Sequence, residues 1–353
     1  MLCRAVTGPL PPPWCRKARA KWEGAKMRGL IWLTVILAAL WGGWWFVGSR
    51  GVEAAARGWF QAETAQGRVA TYETLEVRGF PSRFDLTVTA PALADPARGL
   101  SWRAPFAQVF AMSWKPWHMI AALPGGQEIS VVGQEFDLDA QRIMGSLLLV
   151  PGPDLALSEA VVEGDALVLT PKAGAALGAA RAVGSIRAEA GAEAIYRLGL
   201  AVRSVSVDPA LAQAAGLSQT IEAMELDATV TLSARLDRHA GQNRPALRAL
   251  DLTEARVIWG DLKLFAKGDM GPDTEGLAAG EIAVRIENWR LLPSLLVAAG
   301  IIAPGFEPSL TRGLEVMAAQ RTDPQVLVVP LIAKAGRMSF GPLPLGPAPR
   351  MGD

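Results

Sequence analysis

The sequence predicts a mainly β protein: a long, twisted antiparallel sheet with a few covering helices, preceded by one N-terminal transmembrane helix. Three observations carry that prediction. Residues 29–48 form one uncharged run, about the ~20 residues a helix needs to cross a bilayer. Beyond about residue 68 the apolar residues recur at every second position, the period of a strand with one dry face. Helical patterns are few, short and bounded by capping residues.

In chain order, residues 1–28 read as a basic cytoplasmic segment, with Arg4, Arg16, Lys17, Arg19, Lys21, Lys26 and Arg28 against the single acid Glu23. Only Arg50 and Arg57 lie just beyond the apolar run. That asymmetry places the N-terminus in the cytoplasm and the rest of the chain across the inner membrane, in the periplasm. Met27-Arg28 directly precedes the run, so translation is expected to begin at Met27. Residues 29–48 then form a signal-anchor, with Trp41, Trp44 and Trp45 at its outer end, where indoles favour the interface. A leader cleaved near Ala54-Ala55-Ala56 is the competing reading. The run is longer than an ordinary leader's apolar core, and Arg50 and Glu53 intervene, which favours a retained anchor. Val52, Ala56, Trp59 and Phe60 keep helical spacing, extending the helix as a stalk over 49–67. Residues 68–351 form the periplasmic domain.

Within that domain Phe84 to Thr89 alternates strictly and Pro91 closes the strand. Met224 to Leu236 alternates over its whole length, which at about 3.3 Å per residue is a strand of roughly 40 Å. Tyr196–Val202, Leu262–Leu264 and Glu281–Glu287 repeat the habit, and a phase slip between Val202 and Val205 reads as a bulge. One charged face per strand indicates antiparallel pairing. Asp208, Pro209 and Gly216 frame a short helix. Pro293 to Gly300 frames a second, and Phe306, Leu310, Leu314 and Met317 form the stripe of a third, ending before Asp323-Pro324.

Composition narrows the function. Residues 49–353 carry 28 basic and 33 acidic residues, a balance that offers nucleic acid no basic patch. Both cysteines, Cys3 and Cys15, precede the anchor, so the exported part has no disulfide and no thiolate metal site. The sequence lacks nucleophile-elbow, zincin, Walker, dinucleotide and calcium-loop motifs. It is therefore read as non-enzymatic, with no catalytic residue, cofactor or metal. Acid pairs such as Asp137 with Asp139, or Glu225 with Asp227, admit a carboxylate-dependent periplasmic hydrolase as the least favoured alternative. Repeated acids on a sheet's polar face are also what solvation alone produces.

Two sets of residues remain as sites. Leu226, Val230, Leu232, Ile282, Val284 and Ile286 share the apolar phase of their strands; they line either a filled core or a lipid groove. Trp114, Lys115, Trp117 and His118 sit within five residues and could clamp a headgroup; the plainer reading is a strand edge turned by Pro116.

The signal-anchor and stalk, Gly79-Phe80-Pro81 before the 84–89 strand, Trp102-Arg103-Ala104-Pro105, Trp114-Lys115-Pro116-Trp117-His118 and the closing Gly336-Arg337-Met338-Ser339-Phe340-Gly341-Pro342-Leu343-Pro344-Leu345-Gly346 together resemble an uncharacterised bacterial membrane-anchored family, domain of unknown function 2125. More distantly, Gly260–Leu292, ending in Asn288-Trp289-Arg290-Leu291-Leu292, is similar to a module of AsmA-type envelope proteins. That likeness implies an inner-membrane anchor, a curved sheet with an apolar groove and a role in lipid movement. The expected function is thus a non-enzymatic envelope protein sheltering or transferring lipid. The alternative is a structural scaffold that docks another envelope protein by strand addition.

Overall fold

The computed structural model describes residues 13–240, 244–319, 323–341 and 343–351, with side chains from residue 27 onward. Residues 1–12 of the expected cytoplasmic segment, Cys3 among them, lie outside the described residues. One helix of 53 residues, α1 (Pro13–Ala65), is long and apolar enough to cross a membrane and continues unbroken through the expected stalk. It ends in the turn at Gln66-Gly67.

The next ten strands come as five pairs: β1 (Val69–Thr71) with β2 (Thr74–Arg78), β3 (Arg83–Thr89) with β4 (Ala92–Asp95), β5 (Leu100–Arg103) with β6 (Phe106–Met112), β7 (Lys115–Leu123) with β8 (Gln127–Val131), and β9 (Gln134–Asp139) with β10 (Arg142–Leu149). Each pair is one long strand interrupted near its middle. The remaining elements are β11 (Leu157–Pro171), β12 (Leu177–Ala188), β13 (Ile195–Ser206), α2 (Pro209–Ala215), β14 (Thr220–Leu232), β15 (Leu247–Trp259), β16 (Leu262–Pro272), β17 (Ala278–Glu287), α3 (Leu292–Ala298), α4 (Glu307–Ala319), β18 (Val326–Lys334), β19 (Arg337–Phe340) and β20 (Leu343–Pro347). Five interrupted and ten continuous strands make fifteen, and every pairing is antiparallel between chain neighbours. The sheet is one uninterrupted meander. Among the described residues β20 pairs only with β19, and the first strand only with the second, so the sheet stays open.

The interruptions line up as a crease. They fall at Tyr72-Glu73, Ala90-Pro91, Ala104-Pro105, Pro124 to Gly126 and Ala140-Gln141. Prolines 91, 105 and 124 have no N–H for the ladder. Bonds such as Ala90 N–H to Pro105 O (2.8 Å) and Ala104 N–H to Pro91 O (3.2 Å) stitch neighbouring breaks together. Ala166 in β11 and Ser204 in β13 continue the line with positive φ of 50° and 51°. Here the phase slip expected as a bulge has a different cause. The pairs Arg203↔Ala223 and Val205↔Ile221 keep one register with no inserted residue. Ser204's left-handed backbone turns Val205 to the dry side, where it packs against the cluster of Ala212, Ile221 and Trp259.

The helices start and stop where the sequence marks them. Asp208 caps α2 through a 2.8 Å bond to the Ala210 N–H, and Gly216 closes it with φ 69°. The strand expected over Met224–Leu236 ends at Leu232 instead. Beyond it the chain turns across the neighbouring strands: the Leu236 N–H donates to the Tyr196 hydroxyl (2.7 Å), the Leu236 carbonyl accepts from the Leu157 N–H (2.7 Å), and Arg235 pairs with Asp154 at 2.9 Å.

Two lids cover the dry side, one at each end. Phe60 of α1 packs on Ala70, Leu75 and Val88 of the first strands. At the other end Leu310, Leu314 and Ala318 of α4 lie with Trp289 on Leu262, Ile286, Leu327 and Val329. The Trp289 indole N–H donates to the Pro324 carbonyl at 3.1 Å, satisfying the polar atom of a fully buried ring.

Candidate functional site

Directly opposed residues in neighbouring strands point to the same side of a sheet, so the register reads out each face row by row. One row runs Val77, Leu86, Val109, Ala121, Gly145, Val162, Gly184, Leu200, Leu226, Ala255, Ala266, Val284, Val329. It crosses thirteen strands, an estimated ~58 Å at about 4.8 Å per step, without a polar side chain. α1 covers one end of this face and α4 the other. Between them Val162 is 57% and Leu200 43% exposed, and among the described residues no helix packs on either. Gly145 and Gly184 flank Val162 in the row and leave hollows beside it; a Cβ at Gly184 would meet no atom within 4 Å.

The opposite face carries a ladder of ion pairs. Arg142 meets Asp165 at 2.6 Å, Arg181 meets Glu163 at 2.9 Å, and Arg187 meets Glu159. Glu225 takes Arg203 and Arg256, and Arg285 meets Glu287 at 2.6 Å. Arg197 grips both oxygens of Asp227, at 2.8 and 2.5 Å, and these bonds hold the Asp227 carboxyl below its ordinary range against the opposing effect of burial. A shallow hollow of about 480 Å³ opens on this face over Ser185 and Gly199, rimmed by Arg187, Arg197 and Asp227. The acids that could have served a hydrolase have structural partners. Asp137 binds Lys172 at 2.8 Å, and Asp139 accepts the Gly126 N–H at 2.8 Å. Among the described residues no group of three or more metal-ligating side chains converges.

The structure divides the six apolar candidates. Ile286, 1% exposed, and Val284 lie beneath α3 and α4, while Ile282 packs with Met270, Ala278 and Ala333. Val230 is buried in register with Tyr196. Leu232 is half-buried at its strand end, and Leu226 is half-buried on the open stretch beside Leu200. The aromatic cluster is likewise separated. Trp117 and His118 are consecutive in β7 and face opposite sides. His118 Nε2 lies 3.2 Å from the Ser146 hydroxyl. Trp114, in the turn beyond Lys115, tilts onto Trp41 of α1 at 6.3 Å. Sequence reasoning missed Val162 and Leu200 as the exposed centre of the face, although the alternation of 196–202 already placed Leu200 on it.

Fold and site define a class: an open β-meander on a helix fit to span a membrane, with one continuous apolar side. The chain belongs to the bacterial family described as "Uncharacterized protein conserved in bacteria (DUF2125)", which residues 45–349 match. No curated protein and no solved structure matches it.

Proposed function

We propose that this is a non-enzymatic envelope protein, anchored in the inner membrane by α1 with its sheet in the periplasm, whose open apolar face shelters lipid acyl chains. The observation that carries the reading is the apolar row, which begins beside the membrane helix and is bare at Val162 and Leu200. Only the two ends of the row are lidded, and exposed aliphatic residues in the middle of a continuous apolar side are what a lipid or partner site presents. A chain leaving the bilayer beside α1 would meet no polar side chain along the row, and Val162, Leu200 and Leu226 would offer it hydrocarbon on the open stretch. The basic residues ahead of the apolar run support the orientation, and the ion-paired acids leave little for hydrolysis. Docking by strand addition has less support. The first strands lie under α1, and the last, β20, carries Pro344 and Pro347, which blunt an edge.

The test is photocrosslinking of the full chain in its own membrane. With Leu200→benzoylphenylalanine, adducts carrying phospholipid are expected. Ala201→benzoylphenylalanine, one residue along on the other face, should give none. Protein adducts at 200 with no lipid would favour the scaffold instead.

A further inference from the structure

Two hairpin tips of the sheet rest on the membrane helix itself. The turn between β2 and β3 carries Phe80, whose ring lies 5.3 Å from that of Trp45 and 5.7 Å from that of Phe46. The turn between β6 and β7 carries Trp114, beside Trp41. The tips are fastened to each other and to the helix. The Ser113 N–H donates to the Ser82 carbonyl at 3.0 Å, the Trp44 indole to the Ser113 carbonyl at 3.2 Å, and the Trp45 indole to the Arg83 carbonyl at 2.6 Å. Even so, Phe80 is 58% and Trp114 55% exposed, and the outward sides of Trp41, Trp44 and Phe46 are exposed with them.

The height of these contacts locates them. Residues 41–46 lie two to seven positions before the end of the uncharged run at residue 48, about 3 to 10 Å along the helix axis. If the run fills the hydrocarbon, the tips reach below its boundary on the sheet's side, the depth at which interfacial aromatic groups reside. Their chemistry fits that depth. Gly79-Phe80-Pro81-Ser82 and Ser113-Trp114 carry no charge, and the first charged residues on the flanks, Arg78, Arg83 and Lys115, are all cations. Arg78 and Arg83 pair with Glu76 and Asp85 at 2.7 and 2.8 Å, and Lys115, next to Trp114, is the side chain that reaches back to lipid phosphates while its stem stays apolar.

We propose that the β2–β3 and β6–β7 tips are seated in the adjoining lipid leaflet, with Phe80 and Trp114 inserted at the boundary between headgroups and acyl chains. The seat fixes the sheet's first strands at the bilayer surface instead of leaving them to swing on the stalk. It rests on α1 being a membrane anchor and is independent of what the apolar face carries.

The test uses the full chain with Cys3→Ser and Cys15→Ser, reconstituted in phosphatidylcholine–phosphatidylglycerol vesicles. A single cysteine is introduced as Trp114→Cys, as Phe80→Cys or, in the distal β8–β9 turn, as Val132→Cys, and is labelled with an environment-sensitive dye. Labels at 114 and 80 are expected to be quenched by lipid bearing a nitroxide near the headgroup. Aqueous iodide should quench them several-fold less than the label at 132. Equal iodide quenching at all three positions, with no lipid quenching, overturns the seat. A chain that fails to float with the vesicles overturns the anchor as well, which separates the two failures. The tips are read independently, so loss of the sheet's circular dichroism in one variant leaves the other to decide.

Discussion

The end of the sheet under α4 and the middle of the sheet at β11–β13 are built from the same strand pattern, yet one is a core and the other is bare. In both, small or aliphatic residues fill one phase and charged residues recur in the other. Ile286 and Val162 each sit in an aliphatic row with a cross-strand partner on either side. The difference lies in what stands above them. Ile286 has Trp289 and the α4 stripe; Val162 has two glycine neighbours and no second layer among the described residues. Alternation determines which side of a sheet avoids water, and leaves open whether protein or something else keeps it dry.

That comparison breaks most visibly if the lid is removed. Trp289→Ala opens a void in a fully buried site and should destabilise the lidded end by about 3–5 kcal/mol. In detergent the full chain should melt markedly lower or in two steps. A melt unchanged from wild type would mean that α3 and α4 do not form this core. At the other end, Gly48 lies so close to β3 that a Cβ there would overlap the Phe84 ring. Gly48→Leu should therefore cost about 1–3 kcal/mol and release the first strands from α1, seen as faster hydrogen exchange over 83–89.

Much of this was legible in the sequence. Asp208, Pro209 and Gly216 bounded α2, and Leu310 and Leu314 marked the face of α4, because capping and periodicity are local properties. The dry phase of Leu226, Val284 and Ile286 could also be read, since a strand's two sides differ in its own composition. What covers that phase could not. Ile286 and Leu226 look alike in sequence, and only the topology puts α4 over one and not the other. The crease was hidden too. Pro91, Pro105 and Pro124 each look like the end of a strand, and their alignment into one line appears only once the register of five neighbours is known. The arginines that meet Glu225 and Asp227, namely Arg203, Arg256 and Arg197, come from neighbouring strands far along the chain, so these acids read as merely solvated.

The bare middle should tolerate what the lidded end does not. Gly184→Leu fills a hollow that holds no protein atom and keeps an ordinary backbone, so its effect on stability should lie within about 0.5 kcal/mol. The same substitution raises a branched side chain in the middle of the row. If acyl chains lie there, the lipid adducts at position 200 should fall, at unchanged melting temperature. A fall in both together would mean that this stretch is already packed, and the distinction between the two regions would disappear.

The smallest effect belongs to the polar side. Arg197 is exposed and Asp227 half-buried on an open face, so solvent screens their pairing and it contributes little to stability. Its sign is nonetheless fixed. The hydrogen bonds from Arg197 lower the Asp227 pKa from its ordinary 3.8, so the folded state holds the proton less tightly than the unfolded chain. The contribution is fully present above the ordinary carboxylate value and is lost as pH falls through the lowered one. Comparing wild type with Asp227→Asn cancels what the other carboxylates do in acid. The difference in melting temperature should be small and constant from pH 7 to about 5, then shrink toward zero on further acidification. A difference that grew in acid would mean that the folded state holds Asp227 protonated, and the ladder could not then be what keeps this face wet while the other stays dry.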